Sequence, residues 1–143
     1  MADLTSRDSN FFDLHVLGMG YLHRAREVTP NRGEPFLAVE ISALHGAAGQ
    51  VEYTRFDARV SGREANRIIR QLIPDIEAEK RVLVGFKLGD LYAQTFTYRN
   101  GDKKGQVGVA LKTRLLRIDW AKVEGEYVVR PRSQEETQAK AAA

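Results

Sequence analysis

Most of the chain alternates apolar and polar positions with a period of two residues, the pattern of half-buried β-strands. The first such segment runs from Phe12 to Val28 and carries Phe12, Leu14 and Val16 on one face. The later alternating segments are residues 36–44, 51–60, 81–98 and 106–120. The pattern therefore predicts five strands.

Between the third and fourth segments the apolar period changes to that of an amphipathic helix. The apolar stripe consists of Ala65, Ile68, Ile69 and Leu72. Ser61 and Glu64 have the spacing of a capping box, which predicts the start of a helix at this point. Pro74 is expected to end it. We therefore predict one helix of about ten residues, over 63–73.

The order of three strands, one helix and two strands predicts an all-β fold with one helix. It is the order of a five-stranded OB-fold barrel with the helix between strands 3 and 4. A six-stranded open barrel and an SH3-like barrel are the alternatives, although the latter does not need such a helix. We expect a flexible N-terminus at 1–10, the barrel domain at 11–130 and a disordered tail at 131–143.

Composition narrows the class of protein. A chain of 143 residues predicts one domain, and without cysteine it has neither disulfides nor a thiolate metal site. The first ten residues hold no apolar run, so no secretory signal is expected. No segment approaches about 18 consecutive apolar residues, so no membrane span is expected. These features predict a cytoplasmic protein that does not bind a membrane.

The sequence offers little support for an enzyme. His15, His23 and His45 lack paired metal-ligand spacing, and Gly18 and Gly20 are not followed by the third glycine of a dinucleotide fingerprint. Neither a nucleophile elbow nor a phosphate-binding Walker loop occurs. We therefore predict a non-enzymatic protein without a metal or a cofactor.

Basic and aromatic positions favour binding of a single-stranded nucleic acid, which needs cations along its phosphates and aromatic faces for its bases. The candidates are Tyr53, Arg55 and Arg59 on strand 3; Tyr92, Phe96, Tyr98 and Arg99 on strand 4; Lys103 and Lys104 at the hairpin tip; Lys112 and Arg114 on strand 5; and Arg24, Arg26 and Arg32 around the first turn. The net charge of +3 permits such binding without demanding it.

Several of these residues, and the single tryptophan, also have a structural alternative. Phe96 could equally belong to the core. Arg55 and Arg59 flank Asp57 and could form exposed strand pairs with it. Trp120, the single tryptophan, could lie in the core, in a subunit contact or against a base.

The stretch from Arg26 to Gly33 contains a Thr-Pro-Asn turn, and an alternating strand follows it from Phe36 to Ser42. In this stretch and in the order of its elements, the chain resembles the bacterial single-stranded DNA-binding protein family over residues 11–120. It also resembles small replication-associated proteins of integrative and conjugative elements, which are likened to that family. Both resemblances imply binding of single-stranded DNA by a homodimer or homotetramer.

The chain departs from that family in two ways. Tyr53 is the nearest substitute for the family's stacking tryptophans, and the ending SQEETQAKAAA lacks the acidic tail with a hydrophobic tip that recruits replication proteins. We therefore expect sequence-independent binding of single-stranded DNA in the replication or transfer of a mobile element, and recruitment by that route is in doubt. A protein-interaction adaptor and an RNA-binding OB domain are the alternatives.

Overall fold

Six strands and one helix follow one another along residues 12–131, the part of the chain that the computed structural model describes. The elements are β1 (His15–Val28), β2 (Phe36–His45), β3 (Glu52–Val60), α1 (Arg63–Glu77), β4 (Val82–Thr97), β5 (Val107–Val123) and β6 (Glu126–Val129). The expected flexible N-terminus and nearly all of the expected tail lie outside the described residues.

Five of these strands close into a barrel. The order of neighbours is β3-β2-β1-β4-β5, and β5 returns to pair with β3 in parallel between Asp57–Val60 and Lys112–Leu115. All the other pairings in the barrel are antiparallel. The prediction of a five-stranded OB-like barrel, with its one helix between strands 3 and 4, is confirmed.

The two-residue period fills the barrel as the sequence predicts. On β3, the inward residues Phe56, Ala58 and Val60 are buried, whereas Arg55 and Arg59 on the alternate row are exposed. The fully buried side chains at the centre of the core include Val39, Ile41, Val84, Phe86, Leu88 and Leu115. Within residues 12–131 no helix is long and apolar enough to cross a membrane.

The first strand is shorter than its apolar pattern suggests. It begins at His15, and Phe12 is 98% exposed, so the prediction that Phe12 and Leu14 share a strand face with Val16 is wrong. His15 pairs with Gly89 of β4, and the backbone then turns at Asp90, whose φ is +56°. The β1–β4 contact ends with one further hydrogen bond of 3.1 Å, from Asp90 N–H to the Leu14 carbonyl.

The helix is longer than predicted. It runs from Arg63 to Glu77 and includes Pro74, so the prediction that Pro74 ends it is wrong. A proline inside a helix removes one backbone hydrogen bond and disfavours helical geometry in the residue before it. Here Ile76 lies one turn after Leu72 and is also buried in the core. Burial of this side chain stabilises the last turn against that cost.

The predicted capping box does not form. The residue that precedes the helix is Gly62, with φ of +91°, and no side chain caps the first turn. Ser61 Oγ instead accepts a hydrogen bond of 2.7 Å from Arg114 on β5. Glu64 pairs with Arg67, one turn along the helix. A long-range contact of Ser61 has therefore replaced the local cap.

A sixth strand and the single tryptophan lie at one edge of the sheet. The sequence prediction missed β6, which has only four residues and pairs antiparallel with the end of β5. Trp120 is half-buried above Gly85, where a Cβ atom would overlap its indole. Its ring meets Tyr127 of β6 edge-on, with centroids 6.3 Å apart. Trp120 is thus a packing residue on the outside of the β4–β5 pair.

We expect Ile76→Ala to lower the free energy of unfolding by about 2–5 kcal/mol, the usual range for truncating a buried isoleucine. The matched control is Ile73→Ala on the same helix, where the side chain is only partly buried and should cost less. Urea unfolding followed by Trp120 fluorescence measures both. Equal losses would mean that the turn after Pro74 does not pack on the core.

Candidate functional site

Beyond Gly89, strand β4 leaves β1 and pairs only with β5. Residues 91–97 and 107–111 form a two-stranded ribbon, called the arm here, which carries the loop 98–106 at its tip. The predicted hairpin is therefore present, and Gly101 in its tip has φ of +81°. The arm extends from the barrel next to the first turn, between β1 and β2.

A groove of about 470 Å³ lies between the base of the arm and the β1–β2 hairpin. Tyr92 and Gln94 line it from the arm, and Val28 and Phe36 from the hairpin. Its charged lining consists of Arg26, Asp57, Arg59, Asp90, Lys112 and Arg114. Four cations against two carboxylates leave a net charge of +2. This volume is within the usual range for ligand sites, roughly 300–1,000 Å³.

A bulge in β1 determines which way the side chains of Arg24 and Arg26 point. His23 pairs with Glu40 and Arg26 with Ala38, so β1 has one residue more than β2 across this interval. Arg24 takes φ of +48°, a conformation that bulky residues seldom adopt. As a result Ala25 packs on the core, while Arg24 and Arg26 both reach carboxylates on the outer face.

Asp57 lies at the centre of the groove's charge network. Its carboxylate accepts a hydrogen bond of 2.6 Å from Lys112 Nζ and lies 3.4 Å from Arg26 Nη2. Partial burial acts to raise the pKa of Asp57, but the hydrogen bond and charge of Lys112, together with Arg26, lower that pKa below its ordinary value. Asp57 is therefore ionised and holds both cations in place.

Glu40 is the second carboxylate on the outer face, directly opposite Asp57 in the β2–β3 ladder. Arg24 Nη1 lies 3.1 Å from Glu40, and Arg55 lies 3.9 Å from it. Like charges at opposite ladder positions repel each other, so this pair of carboxylates needs the cations around it. Both cations come from other strands, β1 and β3, so no pattern local to β2 marks them as partners of Glu40.

Two further arginines are fixed at the rim of the groove. The guanidinium carbon of Arg59 lies 4.2 Å from the centroid of the Phe36 ring, which is cation–π geometry. Arg114 donates to Ser61 Oγ and also to Asp90, at 2.7 and 3.2 Å. These contacts orient both guanidinium groups, which lie on neighbouring strands of the barrel closure.

The structure thus brings five of the predicted binding residues together and separates the others. Those lining the groove are Arg26, Arg59, Tyr92, Lys112 and Arg114. Arg24 and Tyr53 line a separate cleft near the end of α1. Arg55 lies on the outer face beside Glu40, and Arg32 lies in the first turn. The remaining candidates, Phe96, Tyr98, Arg99, Lys103 and Lys104, belong to the arm.

The aromatic rings of the arm are not equivalent. Phe96 and Tyr98 meet edge-on, with centroids 4.8 Å apart, over Gly108, where a Cβ atom would collide with both rings. Lys103 Nζ lies 5.5 Å from the Tyr98 ring. Tyr92, in contrast, is 56% exposed and faces the groove. It is therefore the aromatic side chain best placed to meet a ligand in the groove.

The sequence prediction also missed groove residues without charge, because nothing local marks them. Phe36 and Gln94 reach the groove only through the approach of the arm to the β1–β2 hairpin. Among the described residues, no group of three or more His, Asp or Glu side chains could hold a metal ion. The groove's lining offers ion pairing, hydrogen bonding and ring contact.

We expect Asp57→Asn to lower the free energy of unfolding at pH 7, and the difference from wild type to shrink in acid. Because the folded pKa of Asp57 is depressed, its contribution is complete above the unfolded pKa of about 3.9 and is lost as pH falls through the folded pKa. Denaturant titrations from pH 7 to pH 2 measure this. The control Asp119→Asn removes an exposed partner of Arg117 and should change little. A pH-independent difference would contradict the role of the Asp57 charge.

Comparison with known proteins gives a family but no described ligand. No curated protein and no solved structure matches the chain. The resemblance to single-stranded DNA-binding proteins therefore stays a prediction. A family model described as "Protein of unknown function (DUF3577)" matches residues 5–137, nearly all of the 143. The chain therefore belongs to the DUF3577 family.

Proposed function

We propose that this protein binds single-stranded DNA without enzymatic activity and with little sequence preference, and that the strand lies in the groove between the arm and the β1–β2 hairpin. The observation that carries the proposal is the convergence of four cations and an exposed tyrosine in one groove of an OB-like barrel. Single-strand binding requires cations along the backbone and ring faces for the bases.

The cations of the groove suit phosphates. Lys112 and Arg26 share the partly buried Asp57 carboxylate, and Arg59 is oriented by the Phe36 ring. A phosphate that enters the groove adds negative charge to a lining with an excess of two positive charges. Its oxygens can accept hydrogen bonds from these groups while Asp57 keeps the cations oriented.

The preference for single strands, and for little sequence specificity, rests on Tyr92 and Gln94 in the groove. The exposed face of Tyr92 can stack on a base only where that base is unpaired. Gln94 beside it has both a donor and an acceptor for a base edge, which fits weak rather than strict sequence preference.

The proposed setting is cytoplasmic, in the replication or transfer of an integrative and conjugative element, with the protein acting as a homodimer or homotetramer. The absence of cysteine suits a reducing compartment. In support of self-association, residues 15–19 of β1 pair with β4 but not with β2, so this edge can accept another strand.

The direct test is a titration of fluorescein-labelled oligothymidylate of about 12 nucleotides, inside the roughly 4–16 that one OB-fold covers. We expect tight binding at low salt and a slope of log K against log salt of roughly −2 to −3, for three or four contacts at about −0.7 each. The control Arg117→Ala, outside the groove, should match wild type, and Arg59→Ala should bind less tightly with a slope shallower by about 0.7.

Absence of binding at low salt would sink the proposal, as would equal effects of the Arg59 and Arg117 substitutions. Competition by an RNA strand of equal length separates the two nucleic acids. If RNA displaces the probe more effectively than DNA does, the protein is an RNA-binding OB domain instead.

Stacking on Tyr92 gives an independent prediction. We expect Tyr92→Ala to weaken binding by about 1–3 kcal/mol, which is roughly 5- to 150-fold, because the ring face is lost. Tyr92→Phe keeps the ring and should bind within a few-fold of wild type. Fluorescence anisotropy with the same oligothymidylate measures both. If Tyr92→Phe loses as much as Tyr92→Ala, the hydroxyl rather than the ring makes the contact.

A further inference from the structure

A second cleft, of about 590 Å³, lies between the β1–β2 hairpin and the start of α1. Its polar lining includes Arg59, Arg70 and Arg114 together with Ser61 and Asn66. No acidic residue is among the side chains that line it, all of which fall within residues 12–131. The lining of the cleft therefore has three guanidinium groups, one hydroxyl, one side-chain amide and no carboxylate.

This cleft continues the groove. Phe36, Arg59 and Arg114 line both, so the two share one rim. Arg59 and Arg114 are partners in the parallel β3–β5 ladder, on strands about 4.8 Å apart. A chain that leaves the groove between these two arginines enters the cleft without crossing uncharged surface.

Arg70 is the cation at the far side of the cleft. Its ion pair with Glu27 is 3.1 Å long, and both side chains are more than half exposed. Exposed pairs of this kind contribute little energy, so exchange of Glu27 for a phosphate costs little. Asn66 Nδ2 donates to the Gly62 carbonyl at 2.8 Å, and its side-chain oxygen can accept from an exocyclic amine or hydroxyl of the ligand.

We infer that the strand bound in the groove passes over Arg59 and Arg114 into this cleft, where Arg70 contacts a phosphate of a later nucleotide. The inference rests on the proposed function and extends it, because it assigns a second phosphate subsite and a direction of exit. The bound strand thus runs from the base of the arm toward the start of α1, across the seam where the barrel closes.

The chain offers a closely matched control for Arg70. Arg67 lies one turn earlier on the same helix, is also exposed and is also paired with a glutamate, but it does not line the cleft. The experiment compares Arg70→Ala, Arg70→Lys and Arg67→Ala in binding oligothymidylates of about 4 and about 12 nucleotides, the lower and upper parts of the OB-fold range.

We expect Arg70→Ala to bind the longer strand about five-fold more weakly at 0.1 M salt, with a salt slope shallower by about 0.7, as for one lost phosphate contact. Its affinity for the short strand, which the groove alone accommodates, should equal that of wild type. Arg70→Lys should retain most of the affinity for the longer strand, and Arg67→Ala should match wild type for both strands.

Two outcomes would overturn the inference while leaving the proposed function standing. One is binding of both lengths by wild type with no effect of Arg70→Ala, and the other is an equal loss in Arg67→Ala, which would reveal a general charge effect. Inorganic phosphate is added at constant ionic strength as a third arm. We expect it to weaken the longer strand only, because it competes with that strand for Arg70; equal weakening of both lengths would count against a separate subsite. Failure of wild type to bind either length would instead refute the proposed function.

Discussion

The parallel pairing of β3 with β5 is the contact on which the rest of the structure depends. It closes the barrel, and in the same step it sets Asp57 beside Lys112 and Arg59 beside Arg114. Parallel pairing between distant segments has a high cost in loop-closure entropy, so its stability must come from the buried residues next to it, among them Ala58, Val60 and Leu115. The inward residues of these strands therefore hold the outward cations together.

The carboxylates of Glu40 and Asp57 on the outer face both stabilise the fold and reduce the positive charge of that face. The outer face carries four cations on neighbouring strands, namely Arg24, Arg26, Arg55 and Lys112. They would repel one another if no anion lay between them, and Glu40 and Asp57 fill that place. They also leave the surface with only a modest excess of positive charge. An interface of this kind holds arginines in defined orientations but attracts a polyanion less strongly over distance than a purely basic surface would.

Periodicity was enough to predict the order of strands and helix along the chain, the inward row of β3 and the apolar stripe of α1, because each depends on neighbours within a few residues. It was not enough for features that distant contacts decide. Ser61 has the local pattern of a cap, yet its hydroxyl bonds to Arg114 on β5. Pro74 signals a helix end, yet burial of Ile76 carries the helix past it.

The same contrast between local patterns and distant contacts applies to the residues of the groove. The residue types of the groove were visible in the sequence, since Arg26, Arg59 and Lys112 were all candidates, but their ionic partners were not. A bulge of one residue changes which side chains face outward, and no local pattern announced the one at Arg24. Charge on this chain is modest in total, at +3, so its effect depends on where the fold gathers it.

The aromatic side chains also differ in how accessible their ring faces are, and composition alone does not show this difference. The rings of Phe96 and Tyr98 pack against each other and against Gly108. A base that stacked there would have to separate them. Trp120, the largest ring, packs over Gly85 and against Tyr127 on a different face of the sheet. Tyr92 has neither constraint, because its exposed ring sits where the arm leaves the barrel beside Lys112. For the proposed stacking of a base, the position of one tyrosine at the base of the arm thus matters more than the number of rings along it.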